Sequence, residues 1–269
     1  MQRFGVGVAA FLQVERHGRV LWITLDRPEQ MNALCRPLMT ELGAAITAAE
    51  ADVAVHVVMI TGAGRAFCAG ADLTEAKAAL NDPAQFRQGL MVWRDAFAAM
   101  ARCSKPVIAA VNGVALAGGL ELALACDLIV ASSDAKLGDV HARYGLVPGG
   151  GGSQRLPDAV GTRWARWLMY TGETLSAEDA LRIGLVQAIY ASADFAGSVQ
   201  KLGDAMGERS GPGLAFMKRL STPARVSDSG LDLEIEAAVH LVSAPDAREG
   251  LAAFEAKREP RFSAGPGGR

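Results

Sequence analysis

Hydrophobic and polar positions alternate along residues 11–16 and 20–25, and His17-Gly18 between them reads as a turn, so the two stretches predict a β-hairpin. From residue 36 the period changes. Leu38, Leu42, Ile46 and Ala49 recur at helical spacing, which predicts a helix over 36–51, and the apolar run 55–60 predicts a strand after it. The cadence then returns with a helix over 83–102 that stops before Pro106, a strand over 107–111, a short helix over 119–126 and a strand over 128–131. Beyond Gly161 strands nearly vanish, and amphipathic helices are expected near 162–170, 177–183, 194–208, 213–220, 231–241 and 246–258. The order predicts an α/β fold of repeated strand, strand, helix units with a helical C-terminal region. No low-complexity linker separates the parts, so a core over 11–160 and a helical region over 161–262 meet at a soft boundary, Val160, inside one folding unit. Residues 1–10 read as an N-terminal extension, and the Gly/Pro-rich 263–269 as a mobile tail.

Composition narrows the partner. Half of the 269 residues are hydrophobic and 21% are charged, ordinary values for a soluble globule. Against 29 acidic residues there are 27 basic ones and no long basic run, so no field for nucleic acid is expected, which also argues against an RNA-binding or scaffold role. A small molecule is the expected partner. No apolar stretch approaches the roughly 20 residues of a membrane span, and the first ten residues are too short for the core of a secretory signal. Cys35, Cys68, Cys103 and Cys126 are scattered without ligand spacing, which fits reduced thiols and a cytoplasmic protein.

The segment 112–123 carries the most chemistry. It leaves an apolar strand, bares the backbone at Gly118-Gly119 and places Glu121 three residues into a helix. Glycine lets a ligand approach the main chain, and the first N–H groups of a helix have no internal acceptor. Glu121 shares a helix face with Gly118. Taken alone the segment leaves two readings open: an oxyanion site beside a base, or a glutamate favoured by the helix dipole next to glycines that permit close packing. A second strand, 55–60, empties into another small-residue loop, 62–73, so two sets of backbone donors can converge on one oxygen.

With both loops in view, the chain resembles the crotonase superfamily, the enoyl-CoA hydratase/isomerase family. RPEQMNAL at 27–34, AGAD at 69–72, NGVALAGGLELALAC at 112–126, PGGGGSQRL at 148–156 and EGLAAFEAKR at 249–258 occur in the family's order. The resemblance runs from about Phe11 to Phe262. It implies a spiral core of stacked ββα units, a homotrimer or a hexamer built as a dimer of trimers, and an acyl-CoA thioester substrate. Coenzyme A would enter as part of that substrate, with no permanently bound cofactor and no metal.

Residue by residue, the resemblance implies that the backbone N–H groups of Ala71 and Gly118 form an oxyanion hole. Such donors stabilise the charge that grows on a thioester oxygen as an enolate forms. Glu121 matches a catalytic glutamate of the hydratases. Their second carboxylate stands just before the Pro-Gly-rich loop, where LGDVHARYGLVP at 137–148 puts His141 instead. His141 can replace it as acid or base, or simply hydrogen-bond in the pocket. Asp139, two residues earlier, is expected to point away from His141 and is the weaker candidate, and Tyr144 is expected to pack. Met31, Ala33, Ala69, Asp72 and Leu73 match positions that line pantetheine and adenine. A lysine common after that last position is Thr74 here, which leaves Lys77 or Arg65 to meet a phosphate. Phe254, Lys257 and Phe262 lie where relatives complete the coenzyme pocket. Cys68 reads as a small buried hydrophobe, and 149–152 as a tight turn that lacks the Lys-Ser/Thr of a phosphate loop. The implied reaction is enoyl-CoA hydration, addition of water to a trans-2-enoyl-CoA. Double-bond isomerisation and thioester or ring-ketone hydrolysis are the alternatives within the same fold.

Overall fold

The structure is a computed structural model that describes residues 2–3, 10–72, 74–75, 83–144 and 146–221, with Glu249, Ala256, Arg258 and Arg261 beyond them. The helices expected at 231–241 and 246–258 lie outside the described residues. Eleven strands are seen among those described: β1 (Gln2–Arg3), β2 (Leu12–His17), β3 (Val20–Leu25), β4 (Val57–Gly62), β5 (Ala66–Cys68), β6 (Val107–Val111), β7 (Val114–Leu116), β8 (Leu128–Ser132), β9 (Lys136–Gly138), β10 (Leu175–Ser176) and β11 (Ala188–Tyr190). The helices are α1 (Arg36–Ala51), α2 (Pro83–Arg102), α3 (Gly118–Leu124), α4 (Gly152–Thr171), α5 (Ala177–Arg182), α6 (Phe195–Gly207) and α7 (Gly211–Ser221). None of them is long and apolar enough to cross a membrane.

Seven strands form one sheet in the order β1-β2-β3-β4-β6-β8-β11, and four form a second in the order β10-β9-β7-β5. The predicted hairpin is β2 against β3, in register from Leu12 opposite Leu25 to His17 opposite Val20. From β3 to β11 the large sheet is parallel, and β6 is buried at every position, as parallel strands covered on both faces must be. One face packs on α1 and α2 through Leu38, Leu42, Ile46, Phe97 and Met100. The other carries Val20, Val57, Met59, Ile108 and Val130 under Phe195 and Val199 of α6. Gly203 makes that contact close, because a Cβ there would stand 2.8 Å from Met59 Cε and 2.9 Å from Val20 Cγ2.

Three differences from the sequence expectations bear on the site. The whole smaller sheet is new, since strands of two or three residues are too short to show alternation. The boundary drawn at Val160 falls inside α4, beside Gly161 at φ 75° and ψ 154°, where two helical segments abut. The chain beyond it returns to the large sheet as β11. Strand β4 starts two residues later than expected because Val55 and His56 still belong to the turn from α1, bonded to Asp52 O and Arg19 O.

Candidate active site

Two loops meet at the start of α3. In the first, Asn32 sits at φ 56° with its side chain buried. Its Oδ1 accepts from Arg27 N, and its Nδ2 donates to Ala63 O and Ala66 O, pinning residues 27–34 to β5. The second loop is laced to the first: Ala69 N donates to Met31 O at 3.0 Å, Leu34 N to Gly70 O at 2.8 Å and Asp72 N to Leu34 O at 2.9 Å. Arg27 spans both, donating to Ala33 O at 2.6 Å and pairing with Asp72 at 2.8 Å. Met31, Ala33, Ala69 and Asp72 are thus one knot. Leu73 and Lys77 lie outside the described residues, as do Phe254, Lys257 and Phe262. The Asp72 carboxylate is fully engaged, also taking the N–H groups of Thr74 and Glu75. Burial alone would raise its pKa, but these partners outweigh burial and hold it below the ordinary value. Arg65 is exposed at the loop tip.

Gly70, at φ 121°, brings this knot against α3, and a Cβ at Gly70 would lie 3.6 Å from Gly118 N. Conversely, a Cβ at Gly118 would lie 3.4 Å from Ala71 N. The N–H groups of Ala71 and Gly118 therefore flank one small space, and neither has an acceptor among the described residues. Ala117, immediately before, holds φ 49° and ψ −117°, a strained conformation for a residue with a side chain. The two glycines divide the work the sequence left open. Gly119 permits packing, since a Cβ there would strike Cys68 O, whereas Gly118 keeps the space before Ala71 and the Trp93 ring clear. Cys68 itself is fully buried, its thiol pushed up by burial to about 12, and it acts as packing.

One turn into α3, Glu121 is 2% exposed. Its Oε1 accepts the N–H of Gly150 at 2.7 Å and of Gly152 at 2.9 Å. The glycine-rich segment is thus more than the tight turn expected from sequence: its backbone cradles a carboxylate. A Cβ at Gly150 or Gly152 would come to 3.1 Å from the Glu121 carboxylate, so a side chain at either position would crowd the cradle. Burial raises the Glu121 pKa above the ordinary value against the pull of the two N–H groups and of His141.

The free Oε2 looks at His141 Nε2 across 3.9 Å. Behind the ring, Nδ1 meets Asp139 Oδ1 at 2.7 Å, and Asp139 is 2% exposed. The expectation that Asp139 points away is overturned: residues two apart on an extended chain share a face, and after β9 ends at Gly138 the 3-10 turn over His141–Tyr144 keeps the Asp139 carboxylate beside the His141 ring. Burial pulls the His141 pKa down, but the bond and charge of Asp139 and the charge of Glu121 prevail and leave it raised. Nothing is described for the Tyr144 side chain. Trp93 and Phe97 of α2, edge to face at 6.3 Å, wall the site between Gly118 and Gly150. Sequence reasoning set Asp139 aside and missed Trp93, Phe97 and the cradle; the spacing of Trp93 and Phe97 on one helix face was the available signal.

The family model described as enoyl-CoA hydratase/isomerase matches residues 15–265, nearly the whole chain. The chain belongs to the enoyl-CoA hydratase/isomerase family. Among its relatives, a probable enoyl-CoA hydratase of Rhizobium meliloti (strain 1021) is 39% identical over 254 residues, covering 93% of this chain and 97% of the relative. A crotonyl-CoA hydratase of Syntrophomonas wolfei is 34% identical, covering 93% and 96%. The crystal structure of an enoyl-CoA hydratase from Bacillus anthracis superposes with a TM-score of 0.90 at 34% identity, over 94% of this chain and 99% of that one. The crotonase fold of this family is therefore the fold of this chain.

Proposed function

We propose that the protein is an enoyl-CoA hydratase, adding water across the double bond of a trans-2-enoyl-CoA thioester. The observation that carries this is the pair of groups facing each other over 3.9 Å, Glu121 Oε2 and His141 Nε2, beside the N–H groups of Ala71 and Gly118, which have no acceptor among the described residues. A water about 2.8 Å from both groups sits at the apex of an angle near 90°, accepting from Nε2–H and donating to Oε2, with its remaining lone pair turned out of that plane. The thioester oxygen takes the two backbone donors. Water oxygen bonds to Cβ while its proton passes to Glu121, and the π electrons move onto the thioester as an enolate. The imidazolium of His141 then protonates Cα, and Glu121 returns its proton to His141, so the cycle closes with one water consumed. Asp139 keeps Nδ1–H pinned, aims Nε2 at the substrate and favours the charged ring. It is a positioning residue.

Met31, Ala33, Ala69 and Asp72, with Leu73, line the coenzyme in this reading, chiefly through backbone, since the Asp72 carboxylate is already paired. Coenzyme A arrives and leaves as part of the thioester, and no cofactor stays bound. We place the enzyme in the cytoplasm as a homotrimer or a dimer of trimers. Trp164, Trp167 and Tyr170, 45%, 53% and 73% exposed on one side of α4, supply apolar surface for such an assembly. Double-bond isomerisation is the second reading, because among the described residues one carboxylate, Glu121, faces the gap. A panel of 2-enoyl, 3-enoyl and 3-hydroxyacyl-CoA thioesters separates them: hydration gives a product heavier by one water, isomerisation a product of unchanged mass.

A further inference from the structure

Beyond Glu121 the site opens into a cavity of about 610 Å³. It begins at the wall that holds the carboxylate, for Gly150 and Phe97 line it, and Gly150 N also donates to Glu121. The order along α3 sets its direction. With the thioester oxygen at Gly118 and the reacting carbons at Glu121, the acyl chain continues on toward Gly150 and into this cavity. Its α2 side is a single stripe: Arg87, Leu90, Met91 and Arg94 lie at i, i+3, i+4 and i+7, one helix face. The middle of the stripe is apolar and both ends are cationic.

Among the described residues no acidic side chain lines the cavity. Arg87 has no ion-pair partner among the described residues, and Arg94 meets only Asp95, at 3.6 Å with both side chains well exposed, a contact worth little. Arg155 adds a third positive charge, fixed by its bond to Gly150 O at 2.8 Å and its place 5.6 Å over the Phe97 ring. Three cations around an apolar channel leave a net positive field within it. We propose that the preferred acyl group ends in an anion, so that the natural substrates are trans-2-enoyl-CoA thioesters of dicarboxylic acids, with Arg87 and Arg94 receiving the distal carboxylate. This rests on the hydratase reading. The coenzyme phosphates are the other anions available, but they leave the thioester on the side away from the acyl chain.

The test compares a neutral trans-2-enoyl-CoA with one of equal length ending in a carboxylate, in the native enzyme and in the double variant Arg87→Gln/Arg94→Gln. Arg155 is left alone because it holds the cradle. The readouts are the ratio of the two kcat/KM values and the ratio of the two dissociation constants for the saturated, unreactive counterparts. The native enzyme should favour the carboxylate about tenfold, the size two partly exposed ion pairs give together, and the variant should bring both ratios to about one. A native binding ratio near one overturns the proposal. So does a variant that loses both substrates equally, which would assign the arginines to the coenzyme phosphates. If neither enoyl thioester is hydrated while the binding preference and its loss in the variant stand, the cavity assignment holds and the hydratase reading fails.

Discussion

Gly118→Ala separates packing from catalysis at the start of α3. An added Cβ would stand 2.7 Å from Trp93 Cη2 and 2.8 Å from Cζ3, against the 3.5–4.0 Å that carbon atoms prefer, so the ring must retreat by roughly 0.7 Å or more. Trp93 is only 7% exposed and has Phe97 beside it. Overpacking of this kind costs about 1–3 kcal/mol, which for a chain of this size lowers the melting temperature by roughly 2–10 °C. The same methyl lies 3.4 Å from Ala71 N, in the space where an oxyanion would have to come within about 3 Å of that nitrogen. Loss of one such donor costs about 3 kcal/mol, or ~10²-fold in turnover. The assay is hydration of trans-2-butenoyl-CoA with binding measured separately. In the double variant Gly118→Ala/Trp93→Phe the smaller ring should restore part of the melting temperature while turnover stays low. A variant that melts as expected yet turns over at the native rate would refute the oxyanion assignment.

Asp139→Asn should shift the basic limb of the hydration pH profile toward acid. His141 is raised above its ordinary 6.5 in part by the Asp139 bond and charge, and the limb marks loss of the imidazolium as pH rises; an unmoved limb means His141 is not the acid. Glu121→Gln should melt higher than the native protein at neutral pH and lose that advantage in acid. A carboxyl raised above 4.5 contributes stability below its unfolded pKa that is lost as pH rises through the folded value, whereas the amide loses nothing; a melting difference constant with pH contradicts this. Gly43→Ala, inside α1, meets nothing closer than Ala96 Cα at 3.5 Å, so it should stabilise by about 0.5–1 kcal/mol in thermal melts with activity unchanged.

The inner strands of the large sheet, β2, β3, β4, β6 and β8, were legible because they are five or six residues long and flanked by helices with clear periods, whereas its short edge strands β1 and β11 were not. The small sheet was not, because β5, β7 and β9 have three residues each, and their order comes from pairing across the chain, as between Val114 and Lys136. At the site, Gly118, Ala71 and Glu121 could be picked out by motif, since each occupies a strand-to-helix turn with its own local signature. Asp139 was set aside although the signal was there, since residues two apart on an extended chain share a face and its carboxylate meets the His141 ring. The cradle was hidden because Gly150 and Gly152 stand 29 and 31 residues from the carboxylate they hold.

The central claim is that Glu121 and His141 together move water and proton across an enoyl thioester. Its most direct test is the hydration rate of trans-2-butenoyl-CoA by the native protein, Glu121→Gln, His141→Gln and His141→Glu, with the dissociation constant of butyryl-CoA measured for each. The account predicts native hydration, a loss of at least ~10²-fold in Glu121→Gln and a smaller but clear loss in His141→Gln, both with binding retained, and substantial activity in His141→Glu. Negligible hydration by the native protein that appears only in His141→Glu would contradict it, and would move isomerisation or hydrolysis to first place.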